Sequence, residues 1–271
     1  MGERNKSLKD LMDLHGRVSL ITGGAGHIGG AICEALAELG SAVAVLDLDE
    51  AACRRQAERI RNDFGQEALA LPTDLSDETA ARNAPAAVVK HFGRLDVLVN
   101  CAALVGGPRL KGWVVPFEEQ RADTWRQALE VNLTAPFLLA QASASALRAS
   151  GHGSIINISS IYGMVGPDFR LYTGTPMGNP GAYAASKGGL IQISRWLATA
   201  LAPGVRVNSI SCGGVERQQP RAFITRYVDR TPMQRMATEE DFKGAVAYLA
   251  SDLSAYVTGH NLAVDGGWTA W

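Results

Sequence analysis

Val18-Ser19-Leu20-Ile21-Thr22 runs directly into Gly23-Gly24-Ala25-Gly26-His27-Ile28-Gly29, and a helical pattern follows over residues 28–39. Five residues of strand character, a glycine turn and an amphipathic helix make the first half of a β-α-β unit. Gly24, Gly26 and Gly29 satisfy G-x-G-x-x-G in that strand–turn–helix setting. Each glycine has a purpose there: a tight turn, close backbone approach to a pyrophosphate, and close packing of helix on strand. The N-terminus of the helix then faces the phosphate charge. A glycine-rich turn that merely joins two elements is the plainer reading, and the next strand weighs against it. That strand ends at Asp47, 18 residues beyond Gly29, close to where an acid would meet the ribose hydroxyls of a dinucleotide. A carboxylate there repels a 2′-phosphate, so NAD is expected and NADP disfavoured. Asp49 reads as the N-cap of the following helix.

Outward from this unit the rhythm repeats. Strands are predicted over residues 18–22, 42–47, 68–71, 97–100, 154–159, 206–210 and 261–264, and helices over 28–39, 49–64, 77–92, 122–149, 182–201 and 239–251. Several strands are almost continuously apolar, as when both faces of a sheet are covered. The pattern predicts an α/β fold, a Rossmann-type doubly wound parallel sheet of about seven strands with helices on both faces. No linker divides the chain, so one domain is expected over residues 1–271, with residues 1–15 as an N-terminal extension. Residues 105–119 and 162–180 are rich in glycine and proline and read as loops. Both follow strands, which puts them at the carboxyl edge of the sheet, where open α/β folds bind ligands.

Composition narrows the possibilities. Of 271 residues, 46% are hydrophobic and 20% charged, and 26 basic against 27 acidic side chains leave a net charge of −1. There is no basic field to hold nucleic acid or an anionic membrane. No apolar run is long enough for a membrane span, and the charged N-terminus lacks a signal-peptide core. Cys33, Cys53, Cys101 and Cys212 are widely spaced, which suggests neither a metal site nor a disulfide framework. A cytoplasmic protein acting on a small molecule is expected.

Tyr183-Ala184-Ala185-Ser186-Lys187 sets a phenol and an ammonium four residues apart on one helix face. A phenol titrates near 10, and a nearby cation favours its phenolate. The pair alone is a weak signal. Together with Thr22–Gly29, Asp74 and Leu75 after Thr73, Asn100-Cys101-Ala102-Ala103, Asn132, Ser159-Ser160, Arg206-Val207-Asn208 and Val264-Asp265-Gly266-Gly267, it makes the chain resemble the short-chain dehydrogenases/reductases of the compact single-domain branch.

That resemblance implies roles. Tyr183 would be the general acid/base, Ser160 would hydrogen-bond the reacting oxygen, and Lys187 would lower the Tyr183 pKa and bind the nicotinamide ribose. Asn132 would hold a water linking Lys187 to solvent. Gly23, Gly24, Gly26, His27, Ile28 and Gly29 would hold the cofactor with Asp47, Asp74, Leu75 and Val215. Asn100 would support the sheet edge, and the Thr258 segment would help shape the pocket. Ser159, on the opposite side of an extended chain, reads as structural. Related proteins are usually tetramers, so a homo-oligomer, tetramer or dimer, is implied, with Trp268 and Trp271 as candidates for an interface.

The sequence also departs from the family pattern. His27 replaces a usual glycine, NCAA replaces NNAG, and Arg217 stands where a threonine is common. Ser160 and Tyr183 are 23 residues apart, a long interval, with the additional residues inside 166–176. Asp168, Arg170 and Tyr172 of this insertion, with Arg217, are candidate substrate contacts. They favour a sugar, polyol or sugar-derived acid interconverted between secondary alcohol and ketone. An NAD-using epimerase or dehydratase and a non-catalytic cofactor-binding regulator are the alternatives.

Overall fold

The computed structural model describes residues 6–106 and 110–271. Seven strands, β1 (Val18–Thr22), β2 (Ala42–Asp47), β3 (Ala68–Pro72), β4 (Val97–Asn100), β5 (Gly153–Ser160), β6 (Val205–Cys212) and β7 (Asn261–Val264), form one sheet in the order 3-2-1-4-5-6-7. Every neighbouring pair is parallel. β1 pairs with β2 on one side and β4 on the other, which makes the carboxyl ends of β1 and β4 the switch point of the winding.

The apolar strands serve both faces by alternation. Ile21, Val43, Val45, Val99 and Ile156 join α2 (His27–Glu38), α3 (Glu50–Phe64) and α9 (Lys243–Ala250) in one buried layer. Leu20, Ala44, Leu46, Leu98 and Ile155 join α4 (Glu78–Phe92), α6 (Ala135–Ser150) and α7 (Gly181–Leu201) in the other. A strand with water on one face would carry a polar residue at every second position. Asp49 caps α3 by accepting from Ala52 N at 3.1 Å, as its position before the helix predicts.

The helix expected over 122–149 is divided. α5 (Ala122–Leu129) passes into a π turn over Glu130–Thr134 before α6 resumes. Two helices lie outside the predicted set: α1 (Leu8–Met12) in the N-terminal extension and α8 (Arg221–Asp229) after β6. Residues 162–180 are looped but hold a 3₁₀ turn at Phe169–Tyr172. Of the loop over 105–119, Gly107, Pro108 and Arg109 lie outside the described residues. Its Trp113 is buried and donates to Val105 O at 3.0 Å.

Candidate active site

The glycine turn is built around close approaches. Gly23 has φ +66°, and a Cβ there would stand 2.8 Å from the Ala102 backbone. A Cβ on Gly29 would fall 2.0 Å from Gly23 O. Gly26 begins α2 with no side chain capping it, and the helical ladder first engages at Gly30 N, 2.7 Å from Gly26 O. The earlier N–H groups are therefore available at the positive end of a twelve-residue helix. Thr22 Oγ1 accepts from Cys101 N and Ala102 N at 3.0 and 3.1 Å, which holds the chain after β4 against this turn. Asp47 accepts from Ala25 N at 3.2 Å and from Leu48 N at 2.8 Å, so its carboxylate stands over the turn.

A cleft of about 810 Å³ runs along the carboxyl edge of the sheet. Gly23, Gly26, His27, Ile28, Gly29, Asp47, Asp74, Leu75 and Val215 line it, as do Ser160, Tyr183 and Lys187. Gly24 does not; it packs beneath the turn, its hypothetical Cβ 3.0 Å from Ile21 O. Asn100 also lies behind the surface, donating to Asn157 Oδ1 at 2.8 Å, while Asn157 donates to Ser194 Oγ at 2.8 Å. It ties β4 to β5 and, through β5, to α7. Thr258 corrects an expectation. Its hydroxyl accepts from Val207 N at 3.0 Å, near the amino end of β6 and away from the cleft.

Tyr183 and Lys187 occupy one face of the first turns of α7, with Lys187 Nζ 5.8 Å from the centre of the phenol ring. Lys187 is buried and donates to Ile158 O at 2.7 Å. Ser159 Oγ donates to Lys187 O at 2.9 Å and fastens β5 to α7, whereas Ser160 Oγ accepts from Tyr162 N at 3.2 Å and lines the cleft with Tyr183. Among the chain's own groups, burial pushes the Tyr183 phenol up to about 12, and the nearby Ser160 hydroxyl opposes it. Burial also moves Lys187 below its usual value.

Asn132 lies in the π turn. Its Oδ1 accepts from Leu104 N at 2.6 Å, and Nδ2 donates to Leu104 O and Ser186 Oγ at 3.2 and 3.1 Å. The amide is committed to the protein itself, joining the loop after β4 to α7.

The candidate substrate contacts separate. Tyr172 lines the cleft, whereas Asp168 and Arg170 do not. Arg170 Nη2 pairs with Asp168 at 2.8 Å, and Arg230 pairs with the same carboxylate. A loop acid with two guanidinium partners is satisfied without a ligand. Arg217 lines the cleft and donates to Glu239 at 3.2 Å. Trp268 packs on its own chain, stacked 5.8 Å from Tyr227 with the Arg230 guanidinium 5.2 Å from its ring. Trp271 donates to Arg230 O at 3.2 Å. Sequence reasoning passed over Tyr162, Asn179, Phe223 and Tyr227, which line the cleft. Helical spacing of Phe223, Ile224, Tyr227 and Val228 was the signal for the last two.

A bare-backbone cradle at a helix N-terminus, opening on the same cleft as a buried tyrosine–lysine pair, fits a nicotinamide dinucleotide, and the molecule is an oxidoreductase of that class. A family model described as Enoyl-(Acyl carrier protein) reductase matches residues 23–269. The trans-4-hydroxycyclohexanecarboxylate dehydrogenase of Sinomonas cyclohexanicum is 38% identical over 260 residues, 94% of this chain and 93% of that protein. A gluconate 5-dehydrogenase from Burkholderia cenocepacia, solved with NADP and tartrate, superposes with a TM-score of 0.85 at 30% identity, covering 98% of this chain and 100% of the other. An NAD⁺-bound xylitol dehydrogenase superposes with a TM-score of 0.83 at 29% identity, covering 94% and 99%. The chain belongs to the short-chain dehydrogenase/reductase family and is an enzyme acting on CH–OH groups.

Proposed function

We propose that this enzyme is an NAD-dependent dehydrogenase that interconverts a secondary alcohol and a ketone, with a sugar, polyol or hydroxy acid as substrate. The observation that carries it is the opening of Ser160, Tyr183 and Lys187 onto the cleft whose far end is the glycine turn. The bound nicotinamide supplies or accepts the hydride. The protein handles the proton: Tyr183 Oη exchanges it with the substrate oxygen, and Ser160 Oγ hydrogen-bonds that oxygen and orients it. Lys187 places a buried positive charge beside the phenol, which favours the phenolate once alcohol is to be deprotonated.

Relatives named for a ring hydroxy acid, a polyol and an aldonic acid support the substrate class. Tyr162, Tyr172, Phe223 and Tyr227 add an aromatic wall with hydroxyls at its edges, which suits a compact molecule with one hydrocarbon face and polar substituents. The test is NADH absorbance with a panel of polyols, sugars, hydroxy acids and lipid alcohols. Turnover of the first three classes in preference to the last supports the reading, and turnover of lipid alcohols alone refutes the substrate class. An enzyme that binds NAD, releases no NADH and epimerises a sugar derivative would refute the dehydrogenase.

The preference for NAD rests on Asp47. Asp47→Ala removes the carboxylate that would repel a 2′-phosphate, and the ratio of kcat/KM for NAD over NADP is expected to fall by about tenfold or more. An unchanged ratio would move selectivity elsewhere. We also propose a homo-oligomer. Trp196 on α7 is more than half exposed, a large apolar side chain that a second copy of the chain could cover. Sedimentation at micromolar concentration tests this, with a monomer as the refuting result.

A further inference from the structure

Two phenols in the cleft have no part in the proton chemistry. Tyr162 stands two residues beyond Ser160, and Tyr172 ends the 3₁₀ turn of the long Ser160–Tyr183 interval. Their hydroxyls are 2.7 Å apart, and both residues line the cleft. The rings are held from behind, Tyr162 edge-on to Trp268 at 6.2 Å and Tyr172 against Phe223 at 5.4 Å.

Asn179 lines the same cleft, is nine-tenths buried, and has an Oδ1 without a hydrogen-bond partner. Either phenol of the tyrosine pair can donate to the other, so one of the two hydroxyl protons is used within the pair. The other proton has no hydrogen-bond acceptor among the described residues. Burial raises the pKa of both phenols, so they remain donors through neutral and mildly basic pH.

We propose that Tyr172 donates to Tyr162 and that the pair thereby presents the Tyr162 O–H, two residues from Ser160, to a second oxygen of the substrate. The enzyme then selects secondary alcohols that carry another hydroxyl or carbonyl oxygen close to the reacting carbon. This rests on the dehydrogenase reading above. Tyr162 is the specificity-determining contact, while Tyr172 is a positioning residue that acts through it. A substrate without the second oxygen leaves a buried donor unpaired, which is how such sites reject deoxy analogues.

The experiment uses two matched pairs of probes, trans-1,2-cyclohexanediol with cyclohexanol and 2,3-butanediol with 2-butanol. The readout is the ratio of kcat/KM within each pair. In the wild type the diol is favoured by about tenfold or more. Tyr162→Phe collapses the ratio toward unity, Tyr172→Phe lowers it part-way, and adding Tyr172→Phe to Tyr162→Phe changes it no further. A merely structural role would lower both members alike and leave the ratio intact. Turnover without diol preference, or a preference that survives Tyr162→Phe, overturns this proposal and leaves the dehydrogenase standing. If neither these probes nor the wider panel are oxidised, both readings fall.

Discussion

Tyr183→Phe lowers kcat/KM for alcohol oxidation by about 10³-fold, within the range that positioned acid–base groups supply. The substitution removes one oxygen and leaves the ring on α7, so NAD affinity and the thermal melting profile are expected to stay close to wild type. A loss in kcat/KM below tenfold would show that another group carries the proton. The same phenol sets the pH dependence. Oxidation needs the phenolate, so kcat/KM rises with pH until Tyr183 is ionised. The chain's own groups, burial foremost, set that point at about 12, and each positive charge brought near it lowers the value. Lys187→Met removes the buried ammonium 5.8 Å from the ring. The rising limb of the profile is then expected to move to higher pH. A loss of rate with no movement of that limb would mean that Lys187 serves only in binding.

Gly29→Ala is the second large effect, and it acts on the cofactor. The new methyl would lie 2.0 Å from Gly23 O and 2.6 Å from Gly23 C, both rigid backbone atoms of the turn. Something must shift, and the neighbours that shift are the ones that hold the phosphate. Overpacking of this kind costs about 1–3 kcal/mol. NAD affinity measured by titration calorimetry is expected to fall by about a hundredfold, with a lower urea midpoint. Gly30→Ala is the control on the same helix, since its Cβ would meet only the Gln56 side chain at 3.7 Å or beyond. Equal effects of the two substitutions would mean that the turn tolerates a side chain and that helix propensity alone was measured.

Much of the fold was legible because the sheet is covered on both faces. Apolar runs such as residues 43–46 and 97–99 leave few alternatives, and the glycine turn marks where β1 ends. Cap chemistry at Asp49 was readable for the same reason: it depends on neighbours a few residues away. What escaped depends on partners distant in sequence. Asp168 and Arg170 looked like ligand groups because a loop charge does not announce its partner, and Arg230 is 62 residues from Asp168. The Thr258 hydroxyl was misplaced because residues after a long turn can return to either end of the sheet. In the candidate site, Tyr183, Lys187 and Ser160 converge from two elements whose motifs are local. The wall formed by Tyr162, Tyr172 and Phe223 is a tertiary product, assembled when α8 packs against the insertion.

The π turn at Glu130–Thr134 gives the longest helical stretch a change of phase. One surplus residue rotates every later side chain by about 100° relative to an unbroken helix. α5 and α6 can therefore bury different faces, α5 beside the loop after β4 and α6 on the sheet. Removing a single residue there would keep the helix and its ladder yet set its two halves out of step with their neighbours. The Asn132 clasp on Leu104 would be the first interaction to break. In this enzyme a counting irregularity in the chain acts as a gear between the scaffold and the rim of the cleft.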